Sequence, residues 1–177
     1  MQKATPNTAE QFFALIRNPF KLRLFLLRSL PAAYFAGLRV ASASEALCTV
    51  SVPYKWFTQN PFRSTYFACL AMAAELSTGV LVMAQVWRRK PKVSMLVTGT
   101  EARFYKKATG ITLFTCTQGS AIRAAVEKAN DTGAAQIVKV YSEGRNKDGE
   151  VVAAFWFEWS FKTKSEVRSP QSEDYSP

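Results

Sequence analysis

The sequence predicts an α+β domain in which a curved antiparallel sheet wraps around one long central helix. The first reason is the stretch from Thr65 to Trp87, which is long and apolar and contains a single charged residue, Glu75. A helix without a polar face should be covered on nearly all sides. The second reason is the order of elements. Two strand-like segments precede this helix and four follow it, as is typical of α+β proteins.

Two short helices are predicted at the N-terminus, over residues 8–15 and 20–30. They are separated at Asn18-Pro19, because proline cannot continue a helix. The second helix is basic and amphipathic. Such a helix can lie on a membrane, although it more often packs on its own domain. We therefore predict residues 1–30 as an N-terminal helical extension.

Alternating apolar and polar residues predict six strands around the central helix, which is expected over residues 64–86. The strands cover residues 38–42, 46–53, 93–107, 111–118, 137–142 and 151–164. A short segment that contains glycine, Ala108-Thr109-Gly110, predicts a hairpin between the third and fourth strands. Helical spacing predicts a further helix at residues 120–129. Residues 165–177 are rich in serine, proline and acidic side chains and predict a disordered tail.

The composition excludes several classes of chemistry. The chain has no histidine, so Ser-His-Asp catalysis, Cys-His catalysis and His-ligated metal sites are ruled out. Its three cysteines, Cys48, Cys69 and Cys116, lack the spacing of metal ligands and are expected to be small buried residues. Their scatter favours a reducing compartment, the cytoplasm. No metal and no cofactor is implied.

The net charge of +10 indicates an anionic partner. A phosphorylated ligand, a membrane surface and a nucleic acid all carry the required charge. Nucleic-acid binding is not expected because no recognised nucleic-acid motif is present, whereas peripheral contact with a membrane stays open. The central apolar stretch is long enough to span a bilayer, but the carboxylate at its middle and the strands after it favour a core helix.

This order of elements resembles the hotdog fold of the thioesterase superfamily, and in particular a branch related to the acyl-CoA thioesterases of the phenylacetate pathway. The features that carry the resemblance are Asn60-Pro61 before the helix, the run from Tyr66 to Glu75 and the order of the later strands. They cover residues 31–164, which we predict as a hotdog domain. The resemblance implies that acyl-CoA or another acyl ligand is the partner. It also implies a homodimer, and pairing of dimers into tetramers stays open.

The resemblance also implies a set of site residues. In the family a His-Gly-Gly element starts the helix, and an acidic residue follows nine positions after the histidine. Glu75 matches the acidic position and would act as base or nucleophile on the thioester. Tyr66, Phe67 and Ala68 stand in place of His-Gly-Gly, where backbone N–H groups would hold the oxyanion and the Tyr66 hydroxyl could add a hydrogen bond. Asn60 resembles the polar residue upstream that orients water or the thioester.

The helical spacing has a consequence of its own. Nine residues of helix are about 2.5 turns, or roughly 13.5 Å, so Tyr66 and Glu75 face opposite sides of the helix. If both serve one site, a second subunit must supply one of them, and two-fold symmetry then creates two equivalent sites.

Each assignment has an alternative. Glu75 is equally explained as a structural carboxylate, Asn60 as a turn or helix cap, and Tyr66 as an interface aromatic. The basic residues after the helix, Arg88-Arg89-Lys90, could bind the phosphates of coenzyme A or form a solvated helix end. The same two choices apply to Lys92, Lys106 and Lys107. For the whole chain, the alternative to a thioesterase is a non-catalytic hotdog protein that binds acyl-CoA or a fatty acyl ligand.

Overall fold

The structure, a computed structural model, describes residues 8–163, and the tail predicted at residues 165–177 lies outside this part. A six-stranded antiparallel sheet wraps around one long helix, α4, so the predicted fold class is confirmed. The helices are α1 Thr8–Arg17, α2 Pro19–Ser29, α3 Pro31–Ala36, a 3₁₀ helix Trp56–Thr58, α4 Phe67–Val86 and α5 Gly119–Thr132. The strands are β1 Arg39–Ala43, β2 Cys48–Val52, β3 Val93–Phe104, β4 Thr112–Cys116, β5 Gln136–Arg145 and β6 Val151–Thr163.

The strand order β1-β2-β4-β5-β6-β3 corrects one prediction. The third and fourth strands do not form the hairpin expected at residues 108–110. Instead β3 pairs along its length with β6, and β4 lies between β2 and β5. Strand β6 is long enough to pair with β3 over the whole length of β3. The intervening loop is tied to the start of α4, because the backbone N–H and the hydroxyl of Thr65 both donate to the Ala108 carbonyl oxygen.

The core lies between the concave face of the sheet and α4. On β6 the predicted alternation is confirmed, since Phe155, Phe157, Trp159 and Phe161 are all buried. Two buried hydroxyl side chains of α4 in this layer, those of Ser77 and Thr78, are hydrogen-bonded. The Trp159 indole N–H donates to the Thr78 hydroxyl at 3.1 Å, and the Ser77 hydroxyl lies 2.7 Å from that of Ser142. These bonds remove the desolvation penalty of the buried hydroxyls.

The N-terminal helices form as predicted and pack onto the same core. The Asn18 side-chain oxygen accepts from two backbone N–H groups at the start of α2, and Pro19 occupies the first turn. Phe13 of α1 and Leu26 of α2 are fully buried. The short helix α3 was not expected from the sequence. It ends at Gly37, whose φ of 81° places it in the left-handed region that glycine tolerates.

Helix α4 is long and apolar enough to cross a membrane by length and composition alone. The core helix of a soluble protein meets the same criterion. In this chain 67% of the most apolar part of α4 is buried inside the protein, against the sheet and neighbouring helices. Most of the apolar surface of α4 is thus covered by the fold.

Candidate active site

Glu75 lies in the middle of α4 and faces an apolar cavity of about 230 Å³. We call this space the Glu75 cavity. Its walls come from α1, α2, α4, β3 and β6, and the other lining residues are Phe12, Ile16, Leu22, Phe25, Ser29, Leu30, Leu76, Gly79, Val80, Met83, Met95 and Trp159. Within residues 8–163 the Glu75 carboxylate has no hydrogen-bond or ion-pair partner. A largely buried, unpaired carboxylate is costly to keep and is a candidate for a functional group.

Burial raises the pKa of Glu75 above its ordinary value of 4.5. The cause is the loss of water around the charged form, with no cation nearby to compensate. A carboxylate with a raised pKa is a stronger base, which suits the removal of a proton from water.

Gly79 makes room for the carboxylate, because it lies one turn further along α4. A Cβ atom at this position would stand 3.1 Å from Glu75 Oε1 and 3.8 Å from the Trp159 ring. The carboxylate therefore lies over Gly79, directed away from the start of the helix.

At the start of α4, the structure narrows the set of possible oxyanion donors. The helix begins at Phe67, three residues later than expected, with Tyr66 as the N-cap. The Tyr66 N–H donates to the Thr58 carbonyl oxygen at 2.7 Å, so it is not free to bind a ligand. The N–H groups of Phe67 and Ala68 have no acceptor among the described residues, as expected in the first turn of a helix.

Asn60 organises the loop before α4. Its side-chain oxygen accepts hydrogen bonds from the backbone N–H groups of Phe62 and Ser64 and from the Ser64 hydroxyl. These contacts match the turn alternative. They leave the Asn60 amide NH₂ as the group that can act on a ligand.

A second cavity of about 340 Å³ lies beside this loop, and we call it the helix-start cavity. It is lined by Asn60, Ser64, Thr65, Phe67, Leu70, Phe104, Tyr105, Lys106, Lys107 and Ala108. Glu75 is eight residues along the helix from Phe67, or about 12 Å, and lines the other cavity. A single chain therefore does not bring the predicted site residues Glu75 and Asn60 together.

The basic residues that are candidates for phosphate binding lie at opposite ends of α4. Arg88-Arg89-Lys90 follows the end of α4, about 30 Å from its start by helix length, and the Arg88 guanidinium lies over the Trp87 ring at 4.4 Å. Lys106 and Lys107 line the helix-start cavity, where Lys106 also pairs with Glu150 at 2.6 Å.

Helices α1 and α2 of the N-terminal extension lie beside Glu75. Phe12, Leu22 and Phe25 supply walls of the Glu75 cavity. The sequence predicted an amphipathic second helix, but this pattern does not specify which residues the apolar side of a helix covers.

The cysteines behave as buried apolar residues. Cys48 and Cys116 occupy directly opposite positions on β2 and β4, a proximity not evident from their spacing in the sequence. All three cysteines are free and buried, and burial raises the pKa of Cys48 to about 12. In residues 8–163 no cluster of potential metal ligands is found.

Comparison with known proteins identifies the fold. A family model described as a domain of unknown function, DUF4442, matches residues 23–160. A Pseudomonas aeruginosa protein of unknown function, considered a probable thioesterase, superposes with a TM-score of 0.70 at 21% identity, covering 82% of this chain and 97% of its own. No curated protein sequence is significantly similar.

Two further solved structures belong to the same fold. A thioesterase from Haemophilus influenzae gives a TM-score of 0.58 at 13% identity, covering 82% of this chain and 92% of its own. The PaaI protein of the Escherichia coli phenylacetic acid degradation operon gives a TM-score of 0.56 at 12% identity, covering 85% of this chain and 96% of its own. The hotdog fold and the resemblance to this thioesterase superfamily are confirmed.

Proposed function

This chain belongs to the DUF4442 family, and we propose that it hydrolyses acyl-CoA thioesters as a homodimer with Glu75 as the base. The observation that carries the proposal is the unpaired Glu75 carboxylate at the wall of an apolar cavity that opens to the surface. An apolar cavity with one convergent polar group is the usual form of a small-molecule site. The thioesterases among the structural relatives agree with this reaction class.

In the proposed reaction the acyl chain occupies the Glu75 cavity, and the thioester carbonyl lies at its mouth. The carboxylate takes a proton from water as the water oxygen attacks the carbonyl carbon. The tetrahedral intermediate then collapses, the C–S bond breaks, and the proton passes to the departing thiolate. The products are the free acid and coenzyme A. Direct attack by the carboxylate would instead form an acyl anhydride, and water would then cleave it.

A second copy of the chain would complete this site. In the described sheet β3 is an edge strand of 12 residues, paired only with β6. Met95, near its beginning, lines the Glu75 cavity, whereas Phe104, at its end, lines the helix-start cavity. Antiparallel pairing of two β3 strands sets the beginning of one beside the end of the other. Each Glu75 cavity would then face the free N–H groups of Phe67 and Ala68 on the other copy.

The same pairing assigns a place to the coenzyme A phosphates. Arg88-Arg89-Lys90 directly precedes β3, and Lys106 and Lys107 directly follow it. Antiparallel pairing brings the first group of one copy to the same end as the second group of the other copy. We assign phosphate binding to both basic groups together. Within one copy, Arg88-Arg89-Lys90 is far from the helix-start cavity, and Lys106 and Lys107 are far from the Glu75 cavity.

A cytoplasmic location is part of the proposal. The three cysteines are free and buried, and free thiols persist in a reducing compartment. Acyl-CoA would be the natural ligand there.

The second candidate is a hotdog protein that binds acyl-CoA without hydrolysing it. The observation that favours it is the Tyr66–Phe67 aromatic pair, with ring centroids 5.1 Å apart, where the thioesterase superfamily has histidine followed by glycine. Bulky side chains hinder the approach of a carbonyl to the backbone, and the Tyr66 N–H is already bonded to Thr58. Catalysis would then lack part of its oxyanion site.

Release of free thiol from a panel of acyl-CoAs, short to long and including aryl thioesters, separates the two candidates. We expect turnover that is best for short acyl groups, because the cavity is smaller than the roughly 300 Å³ lower limit of typical ligand pockets. Thermal unfolding is measured with the same panel. Protection by acyl-CoA without turnover would favour the binding protein, and neither turnover nor protection would exclude both.

A further inference from the structure

The face of α2 that points away from the Glu75 cavity is apolar and exposed. Phe20 is 86% exposed and Leu24 65%, and Leu27 follows at the same helical spacing. The opposite face of the helix buries Leu22 and Leu26. Helix α2 therefore presents apolar side chains both to the core and to the surroundings, which is unusual for a surface helix of a soluble protein.

This exposed surface continues through α3 to the 3₁₀ helix. The Arg23 guanidinium of α2 lies over the Tyr34 ring at 4.1 Å, and Tyr34 contacts Phe35 with ring centroids 5.4 Å apart. Phe35 in turn lies 6.3 Å from Phe57. The next aromatic residue, Trp56, is 82% exposed. We call the surface formed by Phe20, Leu24, Phe35, Trp56 and Phe57 the apolar face.

The apolar face is bordered by cations. Arg23, Arg39 and Lys55 line one groove of about 500 Å³ together with Tyr34. In the described part of the chain none of these three cations is in an ion pair. The sequence has no aspartate or glutamate from residue 11 to residue 44, so the positive potential here is not neutralised locally.

We propose that the apolar face docks on an anionic lipid bilayer, with Phe20, Leu24 and Trp56 inserted and the groove of Arg23, Arg39 and Lys55 on lipid phosphates. Exposed aromatic and leucine side chains beside basic ones are the combination that binds at the membrane interface. Charge complementarity favours this occupant over a second copy, because two basic faces would repel one another. The proposal concerns a surface and does not depend on thioester hydrolysis.

The experiment is co-sedimentation of the full chain with vesicles of phosphatidylcholine alone or mixed with phosphatidylglycerol. We expect binding to the mixed vesicles, weakened by salt. The double variant Phe20→Ser/Trp56→Ala should bind roughly tenfold more weakly, since each exposed ring would lose its burial in lipid. Arg39→Gln should weaken binding to the mixed vesicles about fivefold. Both changes are at exposed positions, and thermal unfolding checks that the fold is retained.

Matched controls use the same kinds of change elsewhere. Ile137→Ser removes an apolar side chain that is 64% exposed on β5, and Lys147→Gln removes one charge from the β5–β6 turn; neither should alter binding. Equal binding to both vesicle types, or equal loss in the controls, would overturn the proposal. A smaller mass of the double variant in sedimentation velocity without vesicles would also overturn it and identify the face as a contact between copies.

Discussion

Glu75→Gln is expected to lower kcat/KM for acyl-CoA hydrolysis by about 10²–10⁴-fold, the usual contribution of a general base. Glutamine matches the size of glutamate, so the cavity keeps its shape, but the amide cannot take a proton from water. The measurement is the rate of thiol release by both proteins on the best substrate of the panel. A variant that retains more than a tenth of the wild-type rate would remove Glu75 from the mechanism.

Stability supplies the control for this variant. Because burial raises the pKa of Glu75 in the folded state, the wild type loses stability as pH rises from about 4.5 through that raised pKa. Glutamine does not titrate, so the variant should match the wild type at acidic pH and exceed it at neutral pH. At pH values above the raised pKa, we expect the Tm of the variant to exceed that of the wild type by roughly 2–4 °C, which corresponds to about 1 kcal/mol of unfolding free energy. A structural carboxylate with partners would give the opposite sign.

A second variant moves the carboxylate without removing it. In Gly79→Ala the new Cβ would stand 3.1 Å from Glu75 Oε1, so the carboxylate must shift by a few tenths of an ångström. Alanine also favours the helix over glycine by up to about 1 kcal/mol. The variant should be at least as stable as the wild type and slower by up to about 10-fold, since small misplacements of a catalytic group are costly.

Gly119→Ala is expected to destabilise the fold by about 3 kcal/mol, at the top of the usual range for overpacking. Gly119 begins α5 and lies directly against the β1–β2 connection, where its N–H donates to the Ala46 carbonyl oxygen. An added Cβ would stand 1.9 Å from the Glu45 carbonyl oxygen. Because the clash is with backbone, no side-chain rotation relieves it. The expected drop in Tm is roughly 6–12 °C.

Gly110→Ala is the matched control for Gly119→Ala. A Cβ at Gly110 meets no atom within 4 Å, so this variant should unfold within about 0.5 kcal/mol of the wild type. Thermal or urea unfolding of the two variants side by side checks the prediction. Equal stability of Gly119→Ala and the control would mean that α5 does not require this close approach.

Much of the fold follows from local sequence. Asn18-Pro19 predicted the break between α1 and α2, and the alternation on β6 predicted which aromatic side chains are buried. The pairing of β3 could not be predicted in this way. The glycine in the 108–110 segment suggested a hairpin, but strand partners are chosen by length and long-range packing, and β6 matched β3 better.

The candidate site was predictable in part. Glu75 stood out because a lone charge in a mostly buried helix is costly unless it is paired, protonated or used in function. The bond between the Tyr66 N–H and Thr58 was not predictable, because it depends on an isolated bridge between the chain before α4 and the start of that helix. The contribution of α1 and α2 to the cavity was predictable only in outline, since an amphipathic pattern shows which side of a helix is buried but not the partner that it covers.

The most direct test of the Glu75 site is a crystal structure with an acyl-CoA analogue in which a methylene replaces the thioester sulfur. We expect the acyl chain to fill the Glu75 cavity against Phe12 and Met95. The carbonyl should be within reach of the carboxylate through one water, with hydrogen bonds of about 2.6–3.2 Å. An acyl chain bound elsewhere, with the Glu75 cavity empty, would contradict the proposed function.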